Sequence, residues 1–71
     1  MNGRLVTSTI VETLGREGAV KVDALYKTVR KLHSDVEKGA FEETLMALEV
    51  QGLIRVYNMT RGQRRVELVR G

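Results

Sequence analysis

The most constraining feature of this sequence is a change of hydrophobic period at Gly52. Before that glycine, apolar residues recur with the spacing of one helical face, at Phe41, Leu45 and Leu48. After it, apolar and polar residues begin to alternate, which is typical of a β-strand. Glycine enters the left-handed conformation freely, so Gly52 is expected to end a helix and turn the chain directly into a strand.

A β-hairpin is predicted at the C-terminal end of the chain. Its strands are the alternating segments 53–59 and 65–69, and Thr60 to Arg64 joins them with Gly62 at the tip. A lone hairpin is unstable in water, so this one must pack on the preceding helices.

Two more amphipathic helices are predicted upstream. The first covers roughly Arg4 to Gly15, with Asn2 as its cap, Gly15 or Gly18 as its left-handed stop, and an apolar face made of Val6, Ile10 and Leu14 beside Val11. Val20 then indicates a short extended segment before a second helix, which runs from about Val22 to Leu32 and has its apolar face at Val22, Leu25, Val29 and Leu32. Val20 and Leu25 have the spacing of a hydrophobic staple, and His33 closes the second helix.

The third helix is predicted over Ala40 to Gln51, but its start has two alternatives. Ser34 to Glu37 fits a capping box, which would begin the helix at Asp35 and place Gly39 inside it at a cost of about 1 kcal/mol relative to alanine. Alternatively, residues 33–39 form a loop.

Size and composition limit the chain to one small domain. Its 71 residues leave no room for a second core, and the absence of cysteine excludes disulfides and thiolate metal sites. The first 15 residues hold no apolar run long enough for a signal peptide or a membrane span. We therefore expect a cytoplasmic protein with no membrane partner.

Charge is distributed unevenly along the chain. Residues 1–52 carry seven Lys or Arg and eight acids, a net charge of −1, whereas residues 53–71 carry five arginines and only Glu67, a net charge of +4. Such asymmetry indicates a polyanion-binding surface at the C-terminal hairpin.

The order of elements resembles the winged-helix (winged helix-turn-helix) DNA-binding domain family. Two segments carry the resemblance: LMALEVQGLIRVY, from Leu45 to Tyr57, at the end of the third helix, and GREGAVKVDAL, from Gly15 to Leu25, at the junction of helices one and two. The resemblance covers nearly the whole chain. It implies an α+β, mostly α, fold of three helices plus a C-terminal β-hairpin wing, spanning residues 1–71 as a single domain.

The resemblance also implies that the protein binds double-stranded DNA, in which case it would act as a small transcription regulator. Winged-helix domains usually place the third helix in the major groove and the wing on the backbone or minor groove. Arginine suits phosphate contacts and narrow minor grooves, and tyrosine can hydrogen-bond a phosphate. The candidate nucleic-acid-binding residues are Lys27, Arg30, Lys31, Lys38, Arg55, Tyr57, Arg61, Arg64 and Arg65, with Arg70 on the second strand. We predict that Arg61, Arg64 and Arg65 cluster at the wing tip.

Other readings of the basic surface stay open. The wing arginines would also solubilise an exposed edge hairpin, since charges prevent edge-to-edge pairing. A small RNA-binding protein would use the same surface.

The third helix argues against a standard reading helix. From Ala40 to Gln51 it carries three acids and no base, and carboxylates repel phosphate. Met46 and Val50 lie one turn apart opposite the Phe41 stripe, with Glu43 beside them. This face predicts a protein contact, in the form of a homodimer or another partner, unless Val50 lies under the wing. The alternative function is therefore a protein-interaction module.

Catalysis has little support in the sequence, and we expect no enzyme activity, no small-molecule substrate and no cofactor. His33 is the only histidine, and neither Ser8 nor Ser34 lies in a nucleophile motif. Adjacent Glu42 and Glu43 point about 100° apart on a helix, so they do not form a facing acid and base pair. One histidine and no cysteine exclude the usual zinc sites, and the seven glycines form no phosphate-binding fingerprint.

Overall fold

Residues 3–69 fold into three α-helices and a three-stranded antiparallel sheet. A computed structural model describes the backbone of residues 3–69 and the side chains of residues 5–69. The elements in chain order are α1 (Gly3–Glu17), β1 (Val20–Lys21), α2 (Val22–Leu32), α3 (Lys38–Val50), β2 (Ile54–Asn58) and β3 (Arg64–Leu68). This α+β arrangement has the winged-helix-like layout expected from the sequence. Two residues named above, Asn2 and Arg70, lie outside the described range.

The sheet joins the N-terminal helices to the hairpin. Its strand order is β1-β3-β2, with both pairs antiparallel. The short β1 pairs Val20 with Val66 and Lys21 with Arg65. The extended segment predicted at Val20 is therefore confirmed, and β1 fixes the base of the hairpin against the helices.

One hydrophobic core lies between the three helices and one face of the sheet. Its fully buried side chains come from all these elements and from the loop before α3: Val6, Ile10, Leu14, Val22, Leu25, Val29, Val36, Phe41, Leu45, Leu48, Ile54 and Val66. The predicted apolar stripes are confirmed except at Leu32, which is 69% exposed. Leu32 is the last residue of α2, and the core does not extend to that end of the helix.

Two glycines end helices in the left-handed conformation. Gly18, with φ of 78°, follows α1, whereas Gly15 lies inside that helix. Gly52, also with φ of 78°, follows α3 in a Schellman arrangement: its N–H donates to the carbonyl of Glu49 and the N–H of Leu53 donates to the carbonyl of Leu48, both at 3.0 Å. The turn predicted at Gly52 is confirmed.

The start of α3 matches neither alternative fully. The helix begins at Lys38 with Glu37 at the cap position, so the capping box at Ser34 is not formed and Gly39 lies in the first turn. Residues 33–37 form a tight loop in which the N–H of Val36 donates to the carbonyl of His33 at 3.1 Å. Val36 is completely buried there. Residues 33–37 place Val36 in the core as a loop, and α3 begins only after them.

Candidate nucleic-acid interface

The wing tip is a tight turn centred on Arg61 and Gly62. Both residues have positive φ, 63° for Arg61 and 71° for Gly62, and the N–H of Gln63 reaches the carbonyl of Thr60 at 3.4 Å. Two successive left-handed residues define a type I′ turn, whose first central position favours Asn, Asp or Gly. Arginine there costs roughly 1 kcal/mol of backbone strain. Its side chain is exposed and forms no ion pair with any described residue.

The other two wing-tip arginines point to opposite faces of the hairpin. Successive side chains of a strand alternate between faces, so Arg64 and Arg65 diverge. Arg64 points toward α3, where it forms a two-pronged ion pair with Glu42, with 3.0 Å between Nη1 and Oε1. The prediction that Arg61, Arg64 and Arg65 cluster at the tip is therefore wrong.

The ion pair between Glu42 and Arg64 changes the electrostatics of both residues. The hydrogen bonds from Arg64 hold the pKa of Glu42 below its ordinary value, against a smaller opposing effect of burial. The same bonds raise the pKa of Arg64. The carboxylate that Glu42 places on α3 is thus neutralised by the wing, and Arg64 is neutralised by α3.

A cleft lies between the wing tip and the start of α2. It has a volume of about 370 Å³ and is lined by Lys21, Val22, Asp23, Arg61, Gly62, Gln63 and Arg64. The charged residues of its walls are three cations, Lys21, Arg61 and Arg64, and one acid, Asp23. Asp23 forms an ion pair with Lys38, with 3.4 Å between Oδ1 and Nζ. The cleft is positive, because both acids close to it, Asp23 and Glu42, already have cationic partners.

The outer face of the sheet carries the remaining wing candidates. Ile54, Val56, Val66 and Leu68 point to the core, so alternation places Arg55, Tyr57 and Arg65 on the opposite face. Lys21 joins them because it pairs with Arg65 across the sheet. Arg55 lies 3.9 Å from its cross-strand neighbour Glu67, which is a weak exposed ion pair.

Two of the basic candidates, Arg30 and Lys38, both contact the ring of Tyr26. The Tyr26 ring lies 5.2 Å from Nζ of Lys38 and 5.9 Å from the guanidinium carbon of Arg30. Its hydroxyl donates to the carbonyl of Val36 and accepts from Nη1 of Arg30, each at 3.2 Å. Tyr26 also contacts Phe41, with 4.9 Å between ring centroids. This tyrosine therefore fixes both cations relative to the core and holds the loop before α3 in place.

The last two basic candidates lie on the outward face of α2. Lys27 and Lys31 are one turn apart and exposed. Neither lysine forms an ion pair with a described residue. The predicted set thus divides into the wing tip with its cleft, the outer sheet face, and the α2 surface. The first brings Lys21 of β1 and the wing arginines into one concavity.

The outward face of α3 is apolar and acidic. Met46 is 64% exposed and Val50 is 82% exposed, and the exposed Glu43 lies beside them, one turn before Met46. Val50 therefore does not lie under the wing. These three residues form one continuous surface on the helix, as the sequence predicted.

His33 has a structural role at the end of α2. Its Nε2 lies 2.8 Å from Oγ1 of Thr9, and the single hydroxyl proton of Thr9 is already donated to the carbonyl of Leu5 at 3.1 Å. The hydrogen bond between Nε2 of His33 and Oγ1 of Thr9 links α2 to α1. Among the described side chains, no group of three or more His, Cys, Asp or Glu residues is arranged to hold a metal ion.

Sequence reasoning missed three residues of this surface. Lys21 could not be assigned to the surface from sequence, because its position depends on which strand β1 pairs with. Tyr26 could not be assigned either, because its contacts depend on the conformation of the loop before α3. Glu42 was noted as an acid, but not as the partner of Arg64. Helical spacing alone places Glu42 about 100° from Phe41, at the edge of the buried stripe, which was the available signal.

Comparisons with protein-family models, with curated proteins and with solved structures found no significant match to this chain. Within residues 3–69, every helix falls short of the length and hydrophobicity needed to cross a bilayer.

Proposed function

We propose that this protein is a winged-helix domain that binds duplex DNA with low sequence specificity, as a small transcription regulator. The contact surface is the wing tip, the cleft beside it and the basic face of α2. The observation that carries the proposal is Arg61: an exposed arginine, without an ion pair among the described residues, held at a turn position where it costs stability. A strained residue at an exposed tip favours a role in binding.

Charge pairing around the cleft supports this mode. Asp23 and Glu42 would repel phosphate if they were free, but each has a cationic partner from another element. Lys21 and Arg61 remain available at the cleft walls. Arginine at the tip suits a narrow minor groove, whereas phosphate contacts from lysine carry no sequence information. Base readout by α3 is minor, because its exposed face offers Glu43, Met46 and Val50 instead of hydrogen-bond donors.

Arg61→Asn is expected to weaken duplex binding while stabilising the fold. Asparagine suits the left-handed position, so the free energy of unfolding should rise by roughly 0.5–1 kcal/mol. Loss of one phosphate contact should reduce the log–log salt slope of binding by about one. Fluorescence anisotropy with a labelled generic duplex, titrated with salt, measures the slope, and urea unfolding measures stability.

Arg16→Ala is the matched control for charge, because Arg16 is an exposed arginine on α1 outside the proposed surface. It should leave the salt slope of the wild type, roughly −3 to −6, unchanged. Equal slopes for Arg61→Asn and the wild type would contradict the assignment of the wing tip.

A second candidate function is a protein-interaction module, favoured by the exposure of Met46 and Val50. We infer that a homodimer or another partner would bury this face. Met46→Glu should then convert a dimer to a monomer in size-exclusion chromatography with light scattering. Leu32→Glu is the control, since Leu32 is equally exposed but lies on α2. An unchanged oligomeric state in Met46→Glu would remove this face from consideration as a dimer contact.

A further inference from the structure

The outer face of the sheet holds a row of three side chains, of which the duplex-binding mode uses only Lys21, at the edge of the cleft. Tyr57 of β2 is the cross-strand partner of Arg65, and Arg65 is the partner of Lys21 of β1. Directly paired residues project from the same face, so Tyr57, Arg65 and Lys21 form one line across the sheet. Arg55 is two residues from Tyr57 and lies on the same face.

This row contains two positive charges, on Lys21 and Arg65, and no acidic residue. Lys21 and Arg65 are like charges on directly paired residues, an arrangement that destabilises a sheet unless something compensates it. Neither forms an ion pair with a carboxylate in the described part of the chain. The Nε of Arg65 is buried and has no hydrogen-bond partner there. An anion bound between the two side chains would offset their repulsion.

The aromatic member of the row limits the class of anion. Tyr57 is half-buried, with its ring on the same sheet face as the two cations. A tyrosine flanked by cations on a sheet is suited to stacking an unpaired base while the cations contact the phosphates beside it. Bases in a duplex are already stacked on one another, so they cannot use such a ring without being unpaired first.

We propose that the outer face of the sheet binds single-stranded nucleic acid, with one base stacked on Tyr57 and the adjoining phosphates held by Lys21 and Arg65. This surface is separate from the wing tip, because Arg61 lies at the turn and Arg64 projects from the other face toward Glu42. The proposal does not depend on duplex binding.

Anisotropy with a fluorescein-labelled oligothymidylate of about 12 nucleotides tests the proposal. Tyr57→Leu should weaken binding by about tenfold, whereas Tyr57→Phe should bind like the wild type, since stacking needs the ring and not the hydroxyl. Lys21→Gln should reduce the salt slope by about 0.7. Circular dichroism of each variant shows whether it is folded, and Tyr57→Phe and Lys21→Gln change too little to threaten the fold.

Arg61→Asn separates this inference from the duplex-binding function. It should leave oligothymidylate affinity unchanged, and Tyr57→Leu should leave duplex affinity unchanged. The proposal is overturned if the wild type does not bind the oligothymidylate at low salt, or if folded Tyr57→Leu binds it as well as the wild type. It is also overturned if Tyr57→Phe loses as much affinity as Tyr57→Leu.

Discussion

Replacing Glu42 with glutamine is expected to strengthen duplex binding by roughly tenfold, because it frees Arg64 for one further phosphate contact. In the wild type, Arg64 is held by both carboxylate oxygens of Glu42. Glutamine cannot form that charged pair, and Arg64 is part of the cleft wall beside Arg61. In the proposed binding mode the ion pair therefore restrains duplex binding, and its removal should steepen the salt slope by about one.

Glu43→Gln is the matched control for this effect. Glu43 is the next residue on α3 and is exposed, and it holds no arginine among the described residues. Its replacement removes the same charge without releasing a cation, so the salt slope should stay close to that of the wild type. Equal gains in slope from both variants would mean that general charge, and not the release of Arg64, controls affinity.

The same variant should change the pH dependence of stability. The pKa of Glu42 is lowered from 4.5 in the folded state, chiefly by hydrogen bonds from Arg64. The ion pair therefore stabilises the protein above pH 4.5, and this contribution is lost as pH falls through the lowered folded pKa. Urea unfolding at several acidic pH values should show a shallower loss of stability in Glu42→Gln than in the wild type.

Replacing Phe41 with alanine is expected to unfold most of the protein at room temperature. Phe41 is the only phenylalanine, is completely buried, and contacts the Tyr26 ring. Removing such a side chain costs about 3–5 kcal/mol, and a core of this size supplies about the same amount in total. Far-ultraviolet circular dichroism during urea titration measures the loss.

Phe41→Leu keeps most of the buried volume, so it should remain folded with a loss of roughly 1–2 kcal/mol. It should also weaken the contact that orients Tyr26, and with it the positions of Arg30 and Lys38. A folded Phe41→Ala variant with a loss below about 1 kcal/mol would show that α3 does not depend on this ring.

The helices and the hairpin could be predicted because local chemistry determines them. The bounds of α2 follow from its apolar spacing, and the end of α3 follows from Gly52, whose left-handed conformation is required whatever surrounds it. Only at Leu32 did the same spacing mislead. Burial depends on what covers a position, and spacing alone does not contain that information.

The candidate site was less predictable, because it depends on partners distant in sequence. The sequence pattern predicts Arg64 in the loop, whereas β3 begins at Arg64, so alternation along the predicted strand did not separate Arg64 from Arg65. Nothing local indicated that Arg64 would meet Glu42, which lies 22 residues earlier. Lys21 likewise joins the surface only because β1 pairs with the middle of β3.

The short β1 strand also determines where the hairpin can bend. Its two residues pair with Arg65 and Val66. The segment from Asn58 to Arg64 therefore extends beyond the last residues at which all three strands pair. Arg64 is held to α3 by its ion pair with Glu42, so elastic displacement should concentrate in the turn beyond it, at residues 59–63, and leave the helices undisturbed. In the proposed DNA-binding mode, this would let the turn reach grooves of different width without repacking of the core.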